Sequence, residues 1–198
     1  FVRRYDAQGV IQWTNIIGTS AAEGATAVAV SNSLIVVAGD TSGNFPGSTP
    51  GGNEDVFVAG YTANGTQSWL TQVGSSAEEH ATGVALDALN NAFLVGSTRG
   101  LVTPVNTEDA FVQQVTANGA PGWVRQFGTS SKDLASAVTL SMNDIIITGT
   151  TLGQIGGMPP LGGVDGFVVR YSASGSQGQL TQFGSTDGDY PTTVSADS

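Results

Sequence analysis

The 198-residue sequence has no cysteine, a single histidine (His80) and a single lysine (Lys132). Without cysteine there are no disulfides, thiolate metal sites or thiol nucleophiles, and the redox compartment stays undetermined. One histidine excludes multi-histidine metal centres. Charge is scarce too: 11% of residues are charged, and 16 acids against 6 basic residues leave a net charge of -10. That balance speaks against nucleic acid, whose phosphates need basic neutralisation, and against anionic membrane surfaces. The apolar runs, such as Leu34 to Gly39, are too short to cross a bilayer as a helix. No basic-then-apolar leader opens the sequence at Phe1.

Glycine, by contrast, is abundant, at 28 positions beside 7 prolines and 39% hydrophobic residues. Glycine without a triplet period excludes collagen, and the apolar content excludes a disordered acidic tail. The length suffices for a buried core in one or two domains.

The organising signal is a repeat. Phe1-Val2, Phe57-Val58, Phe111-Val112 and Phe167-Val168 align at spacings of 56, 54 and 56 residues. In register behind each Phe come a Gly (Gly9, Gly65, Gly119, Gly175), a Trp (Trp13, Trp69, Trp123, with Gln179 in the fourth unit) and a second Gly (Gly18, Gly74, Gly128, Gly184). An acid (Glu23, Glu79, Asp133, Asp189) and a Val (Val28, Val84, Val138, Val194) complete the pattern. The units are 1–56, 57–110, 111–166 and 167–198, the last incomplete.

Each unit predicts four short strands. The first holds Phe-Val and runs into a hairpin turn at Asn64-Gly65 or Asn118-Gly119, where Gly suits a positive φ. The second carries the Trp. The third is Ala25–Val30, Val84–Leu86 or Val138–Leu140, and the fourth is an apolar run such as Leu34–Ala38, Ala92–Val95 or Ile145–Thr148. Strands apolar on both faces imply sandwiching between two layers. Residues 76–89 contain good helix formers, but their counterpart 20–30 is rich in Thr, Val and Gly, so both are assigned to strands. The expected fold is all-β, a β-propeller of four-stranded antiparallel blades. Loops 41–54, 99–108 and 152–164, with Pro46, Pro50, Pro104, Pro159 and Pro160, are expected at the surface, where specific binding would fall.

The string Asp55-Val56-Phe57-Val58-Ala59, Ala63-Asn64-Gly65, Trp69, Gly74, Glu78-Glu79, Ala81, Val84-Ala85-Leu86-Asp87 and Val95-Gly96 resembles the bacterial SBBP-type β-propeller repeat. The segment from Asn44-Phe45-Pro46 to Pro50-Gly51-Gly52 resembles that family's inter-blade linker. The resemblance is clearest over residues 40–100. Lys132-Asp133 replaces the usual double acid, and the fourth unit lacks the Trp. It implies a propeller, often seven-bladed, in secreted or cell-surface bacterial proteins (the periplasm being the other compartment), and no agreed enzymatic activity. Three and a half blades do not close a ring, and seven need roughly 385 residues. More of the same chain, or a protein partner, is therefore expected to complete the ring, with a closed four-bladed ring less favoured.

A property needed in every blade is architectural, so the acid column is expected to accept backbone N–H bonds rather than line up calcium ligands. At its fourth member Asp187-Gly188-Asp189 makes Asp187 and Asp189 the calcium candidates, and calcium is the one cofactor this pattern suggests. Asp55, Asp109 and Asp165 are expected to end the linkers. Glu54-Asp55 and Glu108-Asp109 have the form of glycosidase carboxylate pairs but recur like architecture. The Trp column is expected to pack between blades, with glycan stacking as the alternative. His80 breaks its column (Gly24, Leu134, Tyr190) and has Glu78 and Glu79 beside it, but no nucleophile can be named with it. Asp40, Arg99 and Tyr190 are further departures from their columns. Gly153-Gln154-Ile155-Gly156-Gly157 precedes no helix and is no phosphate loop. The expectation is thus a non-catalytic interaction scaffold. A calcium- or glycan-binding module is the alternative, and a hydrolase or lyase with its site elsewhere is less favoured.

Overall fold

The computed structural model describes residues 1–198 except Thr49, Pro50, Asn143, Met158, Pro160 and Ser198, so the predicted loop positions Pro50 and Pro160 lie outside the described residues. The fold is all-β. The fourteen strands of the described residues are β1 (Val2–Tyr5), β2 (Ile11–Asn15), β3 (Glu23–Val30), β4 (Ile35–Thr41), β5 (Asp55–Tyr61), β6 (Gln67–Val73), β7 (Glu79–Leu86), β8 (Ala92–Thr98), β9 (Asp109–Val115), β10 (Pro121–Phe127), β11 (Asp133–Ser141), β12 (Asp144–Thr151), β13 (Asp165–Ser172) and β14 (Gln177–Phe183). Three four-stranded antiparallel meanders, β3 to β6, β7 to β10 and β11 to β14, follow a two-stranded β1-β2 hairpin. These are propeller-like blades, and the helix-prone stretch 76–89 is indeed strand β7 and its following turn.

The sheets are out of phase with the sequence repeat. Each blade joins the third and fourth strands of one unit to the first and second of the next, so the boundary between residues 56 and 57 falls inside β5. The long loops 42–54, 99–108 and 152–164 therefore connect paired strands within a blade, while short segments such as 74–78 cross between blades. Backbone stitches secure the crossing: Glu79 N donates to Glu54 O (3.0 Å), Asp133 N to Glu108 O (2.7 Å) and Asp189 N to Val164 O (2.8 Å).

The core lies between blade faces. Val36, Ala38 and Val58 of the first blade pack with Val84, Leu94 and Phe111 of the second, and Phe93, Val95 and Val112 pack with Ala135, Ile147 and Phe167 of the third. This explains why β5 and β8 are buried on both faces. The Trp column clamps neighbouring blades, as expected. Trp13, Trp69 and Trp123 each donate Nε1–H to a turn carbonyl of the next blade, Ala63, Ala117 and Ala173, at 3.0–3.1 Å. Each ring lies on the turn glycine there, Gly65, Gly119 or Gly175, where φ is +79 to +88° and a Cβ would stand only 2.6–2.7 Å from the indole, so the close approach requires glycine.

The ends differ from the interior. Phe57, Phe111 and Phe167 are buried but Phe1 is 76% exposed: among the described residues β1 pairs with β2 alone, whereas β5, β9 and β13 each have a strand on both sides. The third strand expected at Val194 does not form: 184–197 carry no strand among the described residues. A strand of this type pairs with the fourth-type strand next to it, as β3 does with β4, and among the described residues no such strand lies beside it.

Candidate functional site

Each acid of the repeated column is the hub of a local network at a blade entrance. Glu79 accepts bonds from Ser75 N (2.7 Å), Ser75 Oγ (2.6 Å) and Thr98 Oγ1 (2.8 Å). Asp133 accepts from Thr129 N (2.6 Å) and Oγ1 (2.9 Å), and Glu23 from the hydroxyls of Thr19 and Thr41. Burial pulls the Glu23 carboxyl upward, but these hydroxyls and a backbone bond from Thr19 outweigh it and hold it below the usual range. The architectural reading of this column accounts for its geometry.

A second layer was not anticipated. Asp55, Asp109 and Asp165 accept a bond from the side-chain amide of Gln72 (2.9 Å), Gln126 (3.0 Å) and Gln182 (2.6 Å). The same glutamines grip the long loops: their Nε2 donates to Gly43 O, Thr103 O and Gly153 O, and their Oε1 accepts from Phe45 N, Val102 N and Ile155 N. Phe45 and Ile155 are thereby buried, so the loops are partly anchored. Adjacent Glu54-Asp55 and Glu108-Asp109 do not form facing pairs, because Asp109 turns in to Gln126 while Glu108 turns out to Arg99 and Lys132.

One carboxylate oxygen of Asp55, Asp109, Asp133 and Asp165 is buried without a protein hydrogen-bond partner. Burial pushes the Asp55 and Asp133 carboxyls above their ordinary value of 3.8; hydrogen bonds oppose the rise and the nearby Glu79 and Asp109 carboxylates add to it. A raised folded value means the native state holds the proton more tightly than the unfolded chain does. These groups therefore favour folding at low pH, and that contribution is lost as pH rises from 3.8 through the folded value. Asp133→Asn keeps a carbonyl oxygen for Thr129 and removes the titration. It is expected to raise Tm at neutral pH and to flatten the decline of Tm as pH rises above 3.8. Thermal scans across that range check it, and an unchanged slope in the variant refutes it.

The calcium candidates separate in role. Asp189 accepts bonds from Ser185 N (2.7 Å) and Oγ (3.2 Å), like its counterparts in the other units. Asp187 is exposed and its amide donates to Ser185 Oγ (3.2 Å). Among the described residues, neither belongs to a group of three metal-capable side chains.

One such group does form, at the junction of the first two blades. Asp40 near the end of β4, Glu54 before β5 and His80 on β7 bring one ligand atom each within 4.8 Å of the others. His80 Nδ1 lies 3.8 Å from Asp40 Oδ2 and 4.0 Å from Glu54 Oε2. Ala81 N donates to Asp40 Oδ1 (2.7 Å) and fixes the carboxylate. Burial pushes the Asp40 carboxyl up; the Ala81 bond and His80 oppose this and Glu54 adds to it. Glu78, adjacent to His80's neighbour in sequence, pairs instead with Arg99 (3.2 Å), and Glu79 turns into the blade-entrance network. Asp40 and His80 were each visible as departures from a column, but their meeting across blades was not. Of the other departures, Arg99 holds Glu78 and Tyr190 is exposed.

No family model matches the chain. The regulatory protein FlaEY of Caulobacter vibrioides is 29% identical over 96% of this chain, which spans only 24% of that protein. Among solved structures, a crystal structure of a protein of unknown function from Bacteroides caccae matches with a TM-score of 0.49 and 10% identity, covering 88% of this chain and 50% of that one.

Proposed function

We propose that this chain is a non-catalytic interaction scaffold, a run of propeller blades working within a larger secreted or cell-surface bacterial protein. The observation that carries the reading is the contrast between equivalent positions: Val84 is 9% exposed beneath a neighbouring blade, whereas Val28 is 61% exposed on the free face of β3. Phe1, Val2, Arg3, Ala25 and Val28 line an open recess of about 310 Å³ on that face. A further blade of the same repeat is the occupant, because the exposed residues belong to the same columns as those buried between blades elsewhere. The resemblance of residues 40–100 to SBBP-type repeats supports an exported location. That FlaEY is named a regulatory protein and is much longer than this chain fits a role exerted by binding.

The absence of cysteine makes the test clean. A thiol introduced by Val28→Cys is expected to react quickly with maleimide in the 198-residue chain, and at least about tenfold more slowly in a polypeptide with a further copy of the repeat fused ahead of Phe1. Val84→Cys provides the protected reference in both. Equal Val28→Cys rates in the two contexts would overturn the reading.

A further inference from the structure

We propose that Asp40, Glu54 and His80 form a binding site for one divalent transition-metal cation of the zinc class, stapling the first blade to the second. The donor set is one imidazole nitrogen and two carboxylate oxygens, which suits such an ion and disfavours calcium, a cation that takes oxygen ligands. With neutral imidazole the three side chains carry two negative charges, matching the ion's charge. Donors on a tetrahedral ion at about 2.0–2.2 Å stand about 3.3–3.6 Å apart, so the observed 3.8 and 4.0 Å separations need to close by only a few tenths of an ångström.

The supports are arranged for this. Asp40 is held through Oδ1 by Ala81 N, which leaves Oδ2 directed at the imidazole. The Glu54 carbonyl is held by Glu79 N (3.0 Å), so the backbone beneath one ligand is tied to the strand that bears another. Side-chain exposures of 18%, 38% and 34% for Asp40, Glu54 and His80 leave a path for the ion and open coordination positions for water or a partner's ligand.

The blade architecture does not call for these residues. In the strand registers Asp40 stands where the later blades have Ser97 and Thr150, and His80 where its neighbours have Gly24 and Leu134. At the second junction Ser97, Glu108 and Leu134 occupy the three places, and at the third Thr150, Val164 and Tyr190 do, so neither offers more than one carboxylate. Two departures, Asp40 and His80, converge on Glu54, whose column also holds Glu108 in the next blade. This inference uses residues that the scaffold proposal does not, and either can fail without the other.

The test uses the 198-residue chain without an affinity tag, stripped with a chelator and titrated with Co²⁺ and then Zn²⁺. One equivalent of Co²⁺ is expected to bind with visible d–d absorption, to be displaced by Zn²⁺, and to raise Tm. His80→Ala is expected to abolish the absorption, and Asp40→Asn and Glu54→Gln each to weaken binding about tenfold or more. Glu78→Gln, whose carboxylate lies on Arg99, should bind as the parent does. His80→Gln, of similar size, controls for misfolding, with far-UV circular dichroism of every variant. Absence of saturable Co²⁺ binding in the parent overturns the proposal, and so does binding that survives in His80→Ala. If His80 and the carboxylates form only an ion pair, Tm responds to pH but not to metal, and the proposal fails.

Discussion

Gly149→Ala is expected to destabilise the protein by about 3 kcal/mol or more, near the upper end of what a single added methyl does. A Cβ at Gly149 on β12 would stand 2.0 Å from the Leu134 carbonyl oxygen, 2.6 Å from Phe167 Cζ and 2.9 Å from Ala135 Cα. The obstacle is the backbone of the paired strand, so no side-chain rotation relieves it. The crowding arises opposite the β11 bulge, where the register slips between Ala135 and Ala137. The same position recurs: Gly39 would meet Gly24 O at 2.0 Å, and Gly96 would meet His80 O at 1.8 Å, each beside an equivalent slip. Gly24→Ala is the control, since nothing lies within 4 Å of its Cβ site. It should fall within about 0.5 kcal/mol of the parent. Urea unfolding followed by circular dichroism measures both, and a Gly149→Ala midpoint equal to that of the control would refute the account.

Trp123→Ala is expected to cost about 3–5 kcal/mol, the range for truncating a packed aromatic. Its ring centroid lies 6.0 Å from that of Phe93 in its own blade and 6.4 Å from that of Tyr171 in the next, and its face covers Gly175. Truncation opens a void between two blades and also frees the Ala173 carbonyl from its 3.0 Å bond. Trp123→Phe should cost less, because it keeps most of the apolar contact and loses mainly the hydrogen bond, a matter of about 1 kcal/mol. Gln179, in the Trp column of the fourth unit, is exposed and faces no such turn, so Gln179→Ala should be near neutral. If Trp123→Ala unfolded within about 1 kcal/mol of the parent, the interlocking of blades by this column would be wrong.

Much of this arrangement was legible beforehand. Phe-Val pairs, turn glycines, tryptophans and apolar runs repeat because each does the same local job in every unit, and strand period and turn chemistry are short-range properties. The glutamine column was in plain view at Gln72, Gln126 and Gln182, with Ile16 in the first unit. Sequence does not single it out, because a polar residue inside a strand signals nothing locally; the partners of Gln72 lie 17 residues back at an aspartate and 27 residues back in a loop. The serine and threonine hydroxyls four residues before each acid were equally readable, at Thr19, Ser75, Thr129 and Ser185, once the acid was known to need donors.

The amino-acid order by itself determined that the fold is all-β, where its strands lie except for the one expected at Val194, and which positions serve architecture, since these follow from periodicity and turn residues acting over a few neighbours. Tertiary structure alone decided which strands share a sheet, because pairing β4 with β5 across a long loop depends on hydrogen bonds the repeat phase does not encode. It also decided that Asp40, Glu54 and His80 meet. Asp40 and Glu54, 14 positions apart, are brought together by the β4-β5 pairing, and His80, 26 positions beyond Glu54, joins them only when one blade's face is laid against the next.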